Sequence, residues 1–272
     1  MFKFINPTLH RLKPQKHPVS EALNALASEA SLPKSLNLTG AKRVMVFAPH
    51  PDDECIGCGG TLALLANRPG VEIKVVLVTN GDGGAQSPEL EMGPRREQEM
   101  RNALQVLGID ALEGMGVLDG RFTLDTALSL RINALLDSFK PKWVFLPSPL
   151  DYHKDHLLIS HVVSEVSWAH PEVEQLMYFE TWCPVPATHT VDITSVMDLK
   201  VEALSMHQTA MKYGDYIRCI QALNTYRGLY LGFGRYAEAF LVQGRGDSKK
   251  MELDISAIRK WSLSLKQILS KS

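Results

Sequence analysis

The sequence predicts a single α/β domain in which a mostly parallel sheet lies between two layers of helices. The aliphatic runs "RVMVFA" (43–48) and "EIKVVLVT" (72–79) lack the polar alternation of a half-exposed strand, so they are typical of strands buried on both faces. Segments of helical period separate such runs, as in "GPRREQEMRNALQVLGI" (93–109). This alternation indicates βαβ units and a three-layer, Rossmann-like fold.

The other elements follow from the same two periods. "GGTLALLANRPG" (59–70) and a stretch near 125–139 are predicted helices, and "KWVFLPSP" (142–149) is a further buried strand. Beyond residue 170 the strand signals shorten, which predicts that this part extends the sheet and forms one wall of the site. Its elements are "LMYFE" (176–180), the helical "SVMDLKVEALSMHQTAMKY" (195–213) and "AFLVQG" (239–244).

Three segments are expected along the 272 residues. Residues 1–39 are polar and interrupted by prolines, which predicts an N-terminal arm with one short helical stretch. Residues 40–246 form the folded body. Residues 247–272 are predicted to form a helix packed on that body, with a helix on a membrane surface as the alternative. The apolar residues at helical spacing in this segment are Ile255, Ile258, Trp261, Leu265, Ile268 and Leu269.

Composition excludes several classes of protein. Twenty-nine Lys and Arg against 30 Asp and Glu give a net charge of −1, which disfavours nucleic-acid binding. The first 35 residues contain no apolar run long enough for a signal sequence or a membrane span, so we expect a cytoplasmic protein. Four cysteines are too few for a disulfide scaffold. The composition is equally consistent with a monomer and with a homo-oligomer.

The first candidate site follows the strand 43–48, in "APHPDDE" (48–54). Ligands of parallel sheets bind beyond the carboxyl ends of strands. A turn stiffened by Pro51 can bring the imidazole of His50 and the carboxylate of Asp53 to one point, as two ligands of a metal ion. Asp52 lies between them and points elsewhere, where a general base for a metal-activated water belongs. A helix N-cap built from these carboxylates is the structural alternative.

The second candidate site follows another buried strand, in "DYHKDH" (151–156). A catalytic zinc site usually takes three protein ligands and leaves a position for water, so two ligands at the first site require a third. Either His153 or His156 can complete a set of two histidines and one aspartate. The remaining histidine and Asp155 are then left for support or acid catalysis. Such a site predicts hydrolysis of an amide or ester, with a protonated histidine stabilising the oxyanion.

These motifs resemble those of the LmbE/PIG-L family of zinc-dependent N-deacetylases, whose marks are "(A/P)HPDDE" after the first strand and a downstream "HxDH". Here they read "APHPDDE" and "HKDH". The resemblance spans roughly residues 42–242. It continues through "GCGGTLALL", "VTNGDGG", the RxxE of Arg96 and Glu99, "KVEALSMHQ" and "YAEAF".

The resemblance implies a role for each matching residue. His50, Asp53 and His156 would hold Zn²⁺, and Asp52 would be the general base. His153 would stabilise the oxyanion or act as an acid, with Asp155 orienting and charging it. The implied substrate is a small molecule or glycoconjugate carrying an N-acetylglucosamine-like sugar, from which acetate is released. Iron or manganese can also occupy a site with two histidines and one aspartate.

Three further residues match family positions and are predicted to contact substrate: Arg96, His207 and Glu238. Arg96 could instead lie on a solvated helix face, and His207 could be a core histidine or part of a lid. One departure concerns the position two before His153, where some members of thiol pathways have tyrosine and this chain has Asp151.

Several of these residues allow another interpretation. Cys55 and Cys58 form a CxxC, but no second CxxC accompanies it, so they are predicted to pack a helix against the sheet. His161 lies about 140° around a helix from His156 and should not share its ion. Two alternative functions stay open. One is a non-catalytic protein that binds a sugar or partner, and the other is a metal hydrolase acting on another acyl amide or ester.

Overall fold

The structure is a computed structural model that describes residues 32–83, 91–121 and 125–246. The described residues from Pro33 onward belong to one compact unit. The predicted C-terminal helix (247–272) and most of the predicted N-terminal arm lie outside the described residues. Within the described ranges, no helix is both long enough and apolar enough to cross a membrane.

Eight strands form one sheet in the order β1-β7-β8-β6-β5-β2-β3-β4. All neighbouring strands are parallel except β8, which runs antiparallel to β6 and β7. The predicted single α/β domain with a mostly parallel sheet is therefore confirmed. The strands are β1 (Lys34–Ser35), β2 (Arg43–Ala48), β3 (Glu72–Thr79), β4 (Leu112–Val117), β5 (Trp143–Pro147), β6 (Gln175–Phe179), β7 (His189–Asp192) and β8 (Ala237–Gly244).

Seven α-helices are found among the described residues. Asp125 caps the third of them through its side chain, which accepts a hydrogen bond from Leu128 N–H at 2.7 Å. The helices are α1 (Asp53–Ala66), α2 (Met92–Val106), α3 (Thr126–Phe139), α4 (Lys154–Ala169), α5 (Met197–Ser205), α6 (Gln208–Met211) and α7 (Tyr216–Gly228).

Alternate residues of β2 face opposite layers of the fold. Val44 and Val46 pack in a core with residues of α1, α2 and α5. Met45 and Phe47 pack in a second core with residues of α3 and α4. All four side chains are fully buried, which explains why this strand reads as a continuous apolar run in the sequence.

The structure also differs from the sequence predictions. β4 was not predicted because "LEGMGV" contains two glycines and is largely exposed at the sheet edge. β1 pairs with β7, so two residues of the predicted N-terminal arm join the sheet. The predicted helix 195–213 is divided, since α5 ends at Ser205 and α6 begins at Gln208.

Helix α1 begins at Asp53 and lies unusually close to the strands and loops beneath it. A Cβ atom at Gly57 would lie 2.3 Å from the Phe179 ring, and one at Gly60 would lie 2.8 Å from Ile193. Glycine at these positions permits the close approach. Cys55 and Cys58 are buried in the same layer as free thiols, in agreement with a packing role.

Candidate active site

The two predicted motifs meet at one edge of the sheet. β2 lies between β5 and β3, at the point where the strand order reverses. The "PHPDDE" turn follows β2, and "DYHKDH" follows β5, its neighbour. Ligands of open α/β sheets bind at such switch points, because the loops on either side diverge there.

Three side-chain atoms converge where a metal ion could be held. The Nδ1 atom of His50 lies 3.3 Å from Nε2 of His156. The Oδ2 atom of Asp53 lies 3.4 Å from Nδ1 of His50 and 3.2 Å from Nε2 of His156. These atoms form a nearly equilateral triangle, in which Asp53 also accepts the backbone N–H of His50 at 2.8 Å.

The triangle fits the donor set of a divalent cation. Tetrahedral zinc bonded at about 2.0–2.1 Å to nitrogen and oxygen ligands separates those ligands by about 3.3–3.4 Å. The three observed edges of 3.2–3.4 Å agree with this spacing. His153 joins His50 and His156 in a second group whose ligand atoms all lie within 4.8 Å of one another.

Buried carboxylates contact the far nitrogen of each candidate histidine ligand. Nε2 of His50 lies 3.2 Å from Asp119 Oδ1 and 3.3 Å from Asp155 Oδ2. Nδ1 of His156 lies 3.2 Å from Asp151 Oδ2. Such carboxylates fix the tautomer and the ring orientation of a metal-binding histidine.

Sequence reasoning gave no supporting role to Asp119 or Asp151. Asp119 follows β4, which was itself not recognised, and no motif distinguishes it. Asp151 precedes the HxDH motif, but its contact with His156 depends on the course of the loop.

Asp52 has a backbone conformation that is rare for a residue with a side chain. Its φ of 127° and ψ of −26° place it in a region that L-residues seldom adopt, at the N-cap of α1. Its carboxylate makes no capping hydrogen bond, so capping of α1 does not account for this side chain. Burial, and then the negative charge of Asp53, raise the pKa of Asp52 to about 7. The carboxylate is therefore free to exchange a proton near neutral pH.

Asp155 acts on His153 through its charge, which raises the pKa of that histidine, and its carboxylate makes its contact with another histidine. The Asp155 carboxylate contacts His50 and accepts the Gly120 N–H at 2.8 Å. Its backbone N–H donates to Nδ1 of His153 at 3.2 Å, because His153 is the N-cap of α4. The backbone of Asp155 therefore contacts His153, whereas its side chain contacts His50.

His153 differs from the protonated histidine that was predicted. Burial, and then the neighbouring charges of His50 and His156, lower the pKa of His153. Because Nδ1 accepts the Asp155 N–H, the proton of the neutral ring resides on Nε2. His153 lines the cleft, so this Nε2–H is the group that can donate to an oxyanion.

Arg96 lines the same cleft. Its guanidinium donates to the carbonyls of Gly81 at 3.1 Å and Pro51 at 3.0 Å, and lies 3.6 Å from Asp52 Oδ2. It therefore ties the loops after β2 and β3 together and sets a positive charge beside Asp52. A contact between Arg96 and substrate stays a prediction.

His207, predicted to contact substrate, does not line the cleft. It lies between α5 and α6, is 1% exposed, and its Nε2 lies 2.9 Å from Oε1 of Glu54. The other carboxylate oxygen of Glu54 accepts the Asp52 N–H at 3.2 Å. Packing of the α5–α6 connection thus places His207 beneath the site, where it supports Glu54 and the Asp52 backbone.

Glu238, also predicted to contact substrate, does not line the cleft either. It lies on β8 beneath α1 and accepts the N–H groups of Gly60 at 2.8 Å and Thr61 at 2.7 Å. Lys200, fully buried, donates to Glu238 at 2.6 Å and to the Ile56 carbonyl at 3.0 Å. Glu238 therefore faces the interior between β8 and α1, and its contacts there are structural.

Another buried group lies beneath the cleft, and its three ligand atoms are also within 4.8 Å of one another. It consists of Glu54, Cys55 and His207. Burial, and then the charge of Glu54, raise the pKa of the Cys55 thiol, which favours its protonated form. Glu54 and His207 form a hydrogen bond with each other, so their side chains have partners without a metal ion.

The cleft above these residues has a volume of about 440 Å³, within the range of small-molecule sites. Its floor is polar and one wall is aromatic. The described residues that line it are His50, Asp52, Asp53, Asp82, Gly83, Met92, Arg96, Asp119, His153, Trp182, Thr209, Ala210, Tyr213 and Tyr216.

Comparison with known proteins finds relatives named as deacetylases. The diacetylchitobiose deacetylase of Thermococcus kodakarensis is 26% identical over 211 residues, which cover 70% of this chain and 78% of the relative. A probable N-acetyl-alpha-D-glucosaminyl L-malate deacetylase 2 of Bacillus subtilis is 26% identical over 188 residues, covering 62% and 83%.

Solved structures share the fold. The N,N'-diacetylchitobiose deacetylase of Pyrococcus horikoshii superposes with a TM-score of 0.70 at 24% identity, covering 84% of this chain and 94% of that chain. GalB, the 4-carboxy-2-hydroxymuconate hydratase, has a TM-score of 0.62 at 23% identity and covers 74% and 95%. These neighbours show a common architecture.

One segment of the sequence matches a known protein family. Residues 45–167 match the family described as PIG-L, GlcNAc-PI de-N-acetylase. This segment includes both motifs, the candidate metal triangle and Asp52. Residues 45–167 thus match the family that the two motifs predict.

Proposed function

We propose that this protein is a metal-dependent N-deacetylase that hydrolyses the acetamide of an N-acetylated amino sugar, with zinc as its metal. The observation that carries the proposal is the triangle of ligand atoms from His50, Asp53 and His156. Beside it lies the carboxylate of Asp52, which makes no capping hydrogen bond to α1. The relatives named as deacetylases of N-acetylglucosamine-containing compounds support the same substrate class.

His50, Asp53 and His156 would hold the cation. When bound, it would supply Lewis acidity, which polarises the acetyl carbonyl and lowers the pKa of a water molecule. Fe²⁺ or Mn²⁺ could supply the same chemistry from this donor set.

Asp52 is proposed as the general base. It takes a proton from the attacking water onto its carboxylate, and the oxygen of that water forms a bond to the acetyl carbon. The same carboxyl group can return the proton to the amide nitrogen, whose bond to carbon then breaks to give the free amine and acetate. A pKa raised to about 7 suits both directions of this transfer near neutral pH.

His153 and Arg96 are proposed to support these steps. The Nε2–H of neutral His153 donates to the oxygen that becomes negatively charged when water attacks. Arg96 keeps the loop of Asp52 in place and moderates the charge of its carboxylate. A sugar hydroxyl in the cleft could accept a hydrogen bond from its guanidinium.

A non-catalytic binding protein is the weaker alternative. Binding alone gives no reason to hold Asp52 in an unfavourable backbone conformation with its carboxylate making no capping hydrogen bond to α1. Strain of this kind concentrates at sites of chemistry. The free thiols of Cys55 and Cys58 agree with the reducing, cytoplasmic location that we propose for the enzyme.

The test measures acetate released from N-acetylated sugars, nucleotide sugars and glycolipids by the protein loaded with Zn²⁺, Fe²⁺ or Mn²⁺. We expect release from at least one substrate, and its loss with a chelator. We also expect close to one metal ion per chain in the wild type and much less in His156→Ala. Acetate release that is unaffected by chelator, or equal metal content in both proteins, would refute the proposal.

A further inference from the structure

The peptide group between Pro51 and Asp52 is held on both of its polar sides. Its carbonyl oxygen, on Pro51, accepts a hydrogen bond from the Arg96 guanidinium at 3.0 Å. Its N–H, on Asp52, donates to Oε2 of Glu54 at 3.2 Å. A positive group therefore faces the negative end of the peptide dipole, and a negative group faces its positive end. Reversing this peptide would direct its carbonyl at the Glu54 carboxylate and its N–H at the guanidinium, which is unfavourable.

The orientation of this peptide determines the rare backbone conformation of Asp52. Its φ is 127° and its ψ is −26°. Reversal of the preceding peptide changes φ by about 180°, so Asp52 would then have a φ of about −50°, in the right-handed α region. In that conformation Asp52 would extend α1, which begins at Asp53. Asp52 is thus one peptide rotation away from an ordinary helical conformation.

The Glu54 carboxylate is itself held by a second buried residue. Its other oxygen, Oε1, lies 2.9 Å from Nε2 of His207, and the imidazole donates because a carboxylate can only accept. Glu54 is fully buried and His207 is 1% exposed. A buried carboxylate that loses its partner is unfavourable, so His207 keeps Glu54 in contact with the Asp52 N–H.

One helix contacts both sides of this arrangement. Arg96 and Glu99 lie three residues apart on α2, so their side chains are neighbours on its surface. The Glu99 carboxylate accepts the Thr209 N–H at 3.0 Å and the Thr209 hydroxyl at 2.9 Å. Thr209 is two residues after His207, so these bonds tie the α5–α6 connection to α2. The RxxE motif therefore contacts the peptide through Arg96 and fixes the segment of His207 through Glu99.

We propose that Glu54 and His207 are positioning residues for the general base. With Arg96 on the opposite side, they hold the Pro51–Asp52 peptide in the orientation that gives Asp52 its rare conformation. This inference rests on the proposed function, because it takes Asp52 to be the base. Reversal of the peptide shifts the Cα–Cβ direction of Asp52, and a displacement of about 1 Å at a reacting group can lower a rate about 100-fold. Charged hydrogen bonds from outside the cleft thus offset the strain at the base.

The kinetic experiment measures kcat and KM for acetate release by the metal-loaded protein and its variants. Glu54→Leu removes the acceptor of the Asp52 N–H and should lower kcat about 100-fold, with KM and metal content unchanged. His207→Leu should lower kcat about tenfold or more, and His207→Gln, whose amide can still donate to Glu54, should recover most of this loss. Combining Glu54→Leu with His207→Leu should lower kcat no further than Glu54→Leu alone, because both changes act through one hydrogen-bonded pair.

Lys200→Met is the matched control. Lys200 is also a fully buried charged residue beneath α1, and its hydrogen bonds go to Glu238 and the Ile56 carbonyl. The variant should lower stability and leave kcat unchanged at a temperature where circular dichroism shows it folded. Three results would overturn the proposal: a loss of kcat in His207→Leu no larger than in Lys200→Met, an effect confined to KM, or equal kcat in His207→Leu and His207→Gln.

Crystal structures test the arrangement independently of activity. Asp52 should have a positive φ in the wild type and a negative φ in Glu54→Leu, where the peptide reverses. If no substrate releases acetate, the proposed function has failed, and this comparison still decides whether Glu54 sets the Asp52 backbone. A negative φ in the wild type, or a positive φ retained in Glu54→Leu, would overturn the proposal. Should Glu54→Leu fail to fold, His207→Leu is compared with His207→Gln, and a positive φ in both would have the same consequence.

Discussion

The carboxylate of Asp155 lies 3.3 Å from Nε2 of His50, although the two residues are 105 positions apart in the chain. The HxDH motif therefore supports the histidine of the other motif. Its aspartate belongs to the shell that orients a candidate metal ligand, together with Asp119.

Asp155→Asn should weaken metal binding by about 10–100-fold, the usual effect of losing a carboxylate that supports a ligating histidine. The measurement is competition with a fluorescent chelator, followed by kcat at saturating metal. Glu165→Gln is the control, because Glu165 lies on the same helix and its side chain is 66% exposed. Unchanged metal affinity with a large loss of kcat would instead restore the predicted role of Asp155 on His153.

Asp52→Asn should reduce kcat by about 10²–10⁴-fold, the usual contribution of a general base. The substitution keeps the shape of the side chain and removes its capacity to accept a proton. Metal content should remain close to that of the wild type, because Asp52 lies outside the triangle of ligand atoms. Activity within a few fold of the wild type would exclude Asp52 as the base, and loss of metal would make it a ligand.

The pH dependence of kcat/KM should report the protonation of Asp52. A base acts only when it is deprotonated, so activity should fall as the pH drops through its pKa. Burial and the charge of Asp53 raise that pKa to about 7, whereas Arg96 lowers it. A cation bound at Asp53 offsets part of the increase, which places the acid limb at or below about pH 7.

Arg96→Met should therefore move the acid limb to higher pH, and Arg96→Lys, which keeps the charge, should move it less. Both variants lose the bidentate tie to Gly81 and Pro51, so the comparison isolates charge from geometry. Acid limbs at the same pH in both variants would show that the Arg96 charge does not act on the base.

The contrast between predicted and observed roles has a physical origin. β2 and β5 and the motifs after them were predictable, because a buried parallel strand leaves a local apolar run and its carboxyl end has a known function. Asp119 was not predictable, since its contact with His50 exists only because β2 and β4 bring their ends to the same edge of the sheet.

Two residues that match family positions illustrate a related point. His207 and Glu238 match family motifs, yet one contacts Glu54 and the other contacts the backbone of α1. A motif indicates that a position is constrained, and only the packing shows whether the constraint is chemical or structural. Trp182 had no sequence signal at all, because its exposure depends on the loop that Asp151 anchors.

Lys200→Met should destabilise the protein by about 3–5 kcal/mol, the usual cost of leaving one partner of a buried ion pair uncompensated. The variant leaves the Glu238 carboxylate and the Ile56 carbonyl without their fully buried donor. Adding Glu238→Gln should recover part of the loss, since the remaining partner is then neutral. Urea denaturation followed by circular dichroism measures the free energy of unfolding of the single and the double variant. Lys200→Met as stable as the wild type would contradict the prediction.

Gly57→Ala should destabilise the protein by about 1–3 kcal/mol, because overpacking forces neighbouring groups to move. The new Cβ would lie 2.3 Å from the Phe179 ring, which is fully buried on β6.

Gly59→Ala is the matched control on the same helix. Its Cβ would meet Lys200 Cγ at 3.5 Å, an ordinary contact, and alanine favours a helix over glycine by about 1 kcal/mol. Thermal unfolding should thus place Gly59→Ala at or above the wild type and Gly57→Ala well below it. If the two variants melted together, the close approach of α1 to the sheet would not depend on the missing side chain at Gly57.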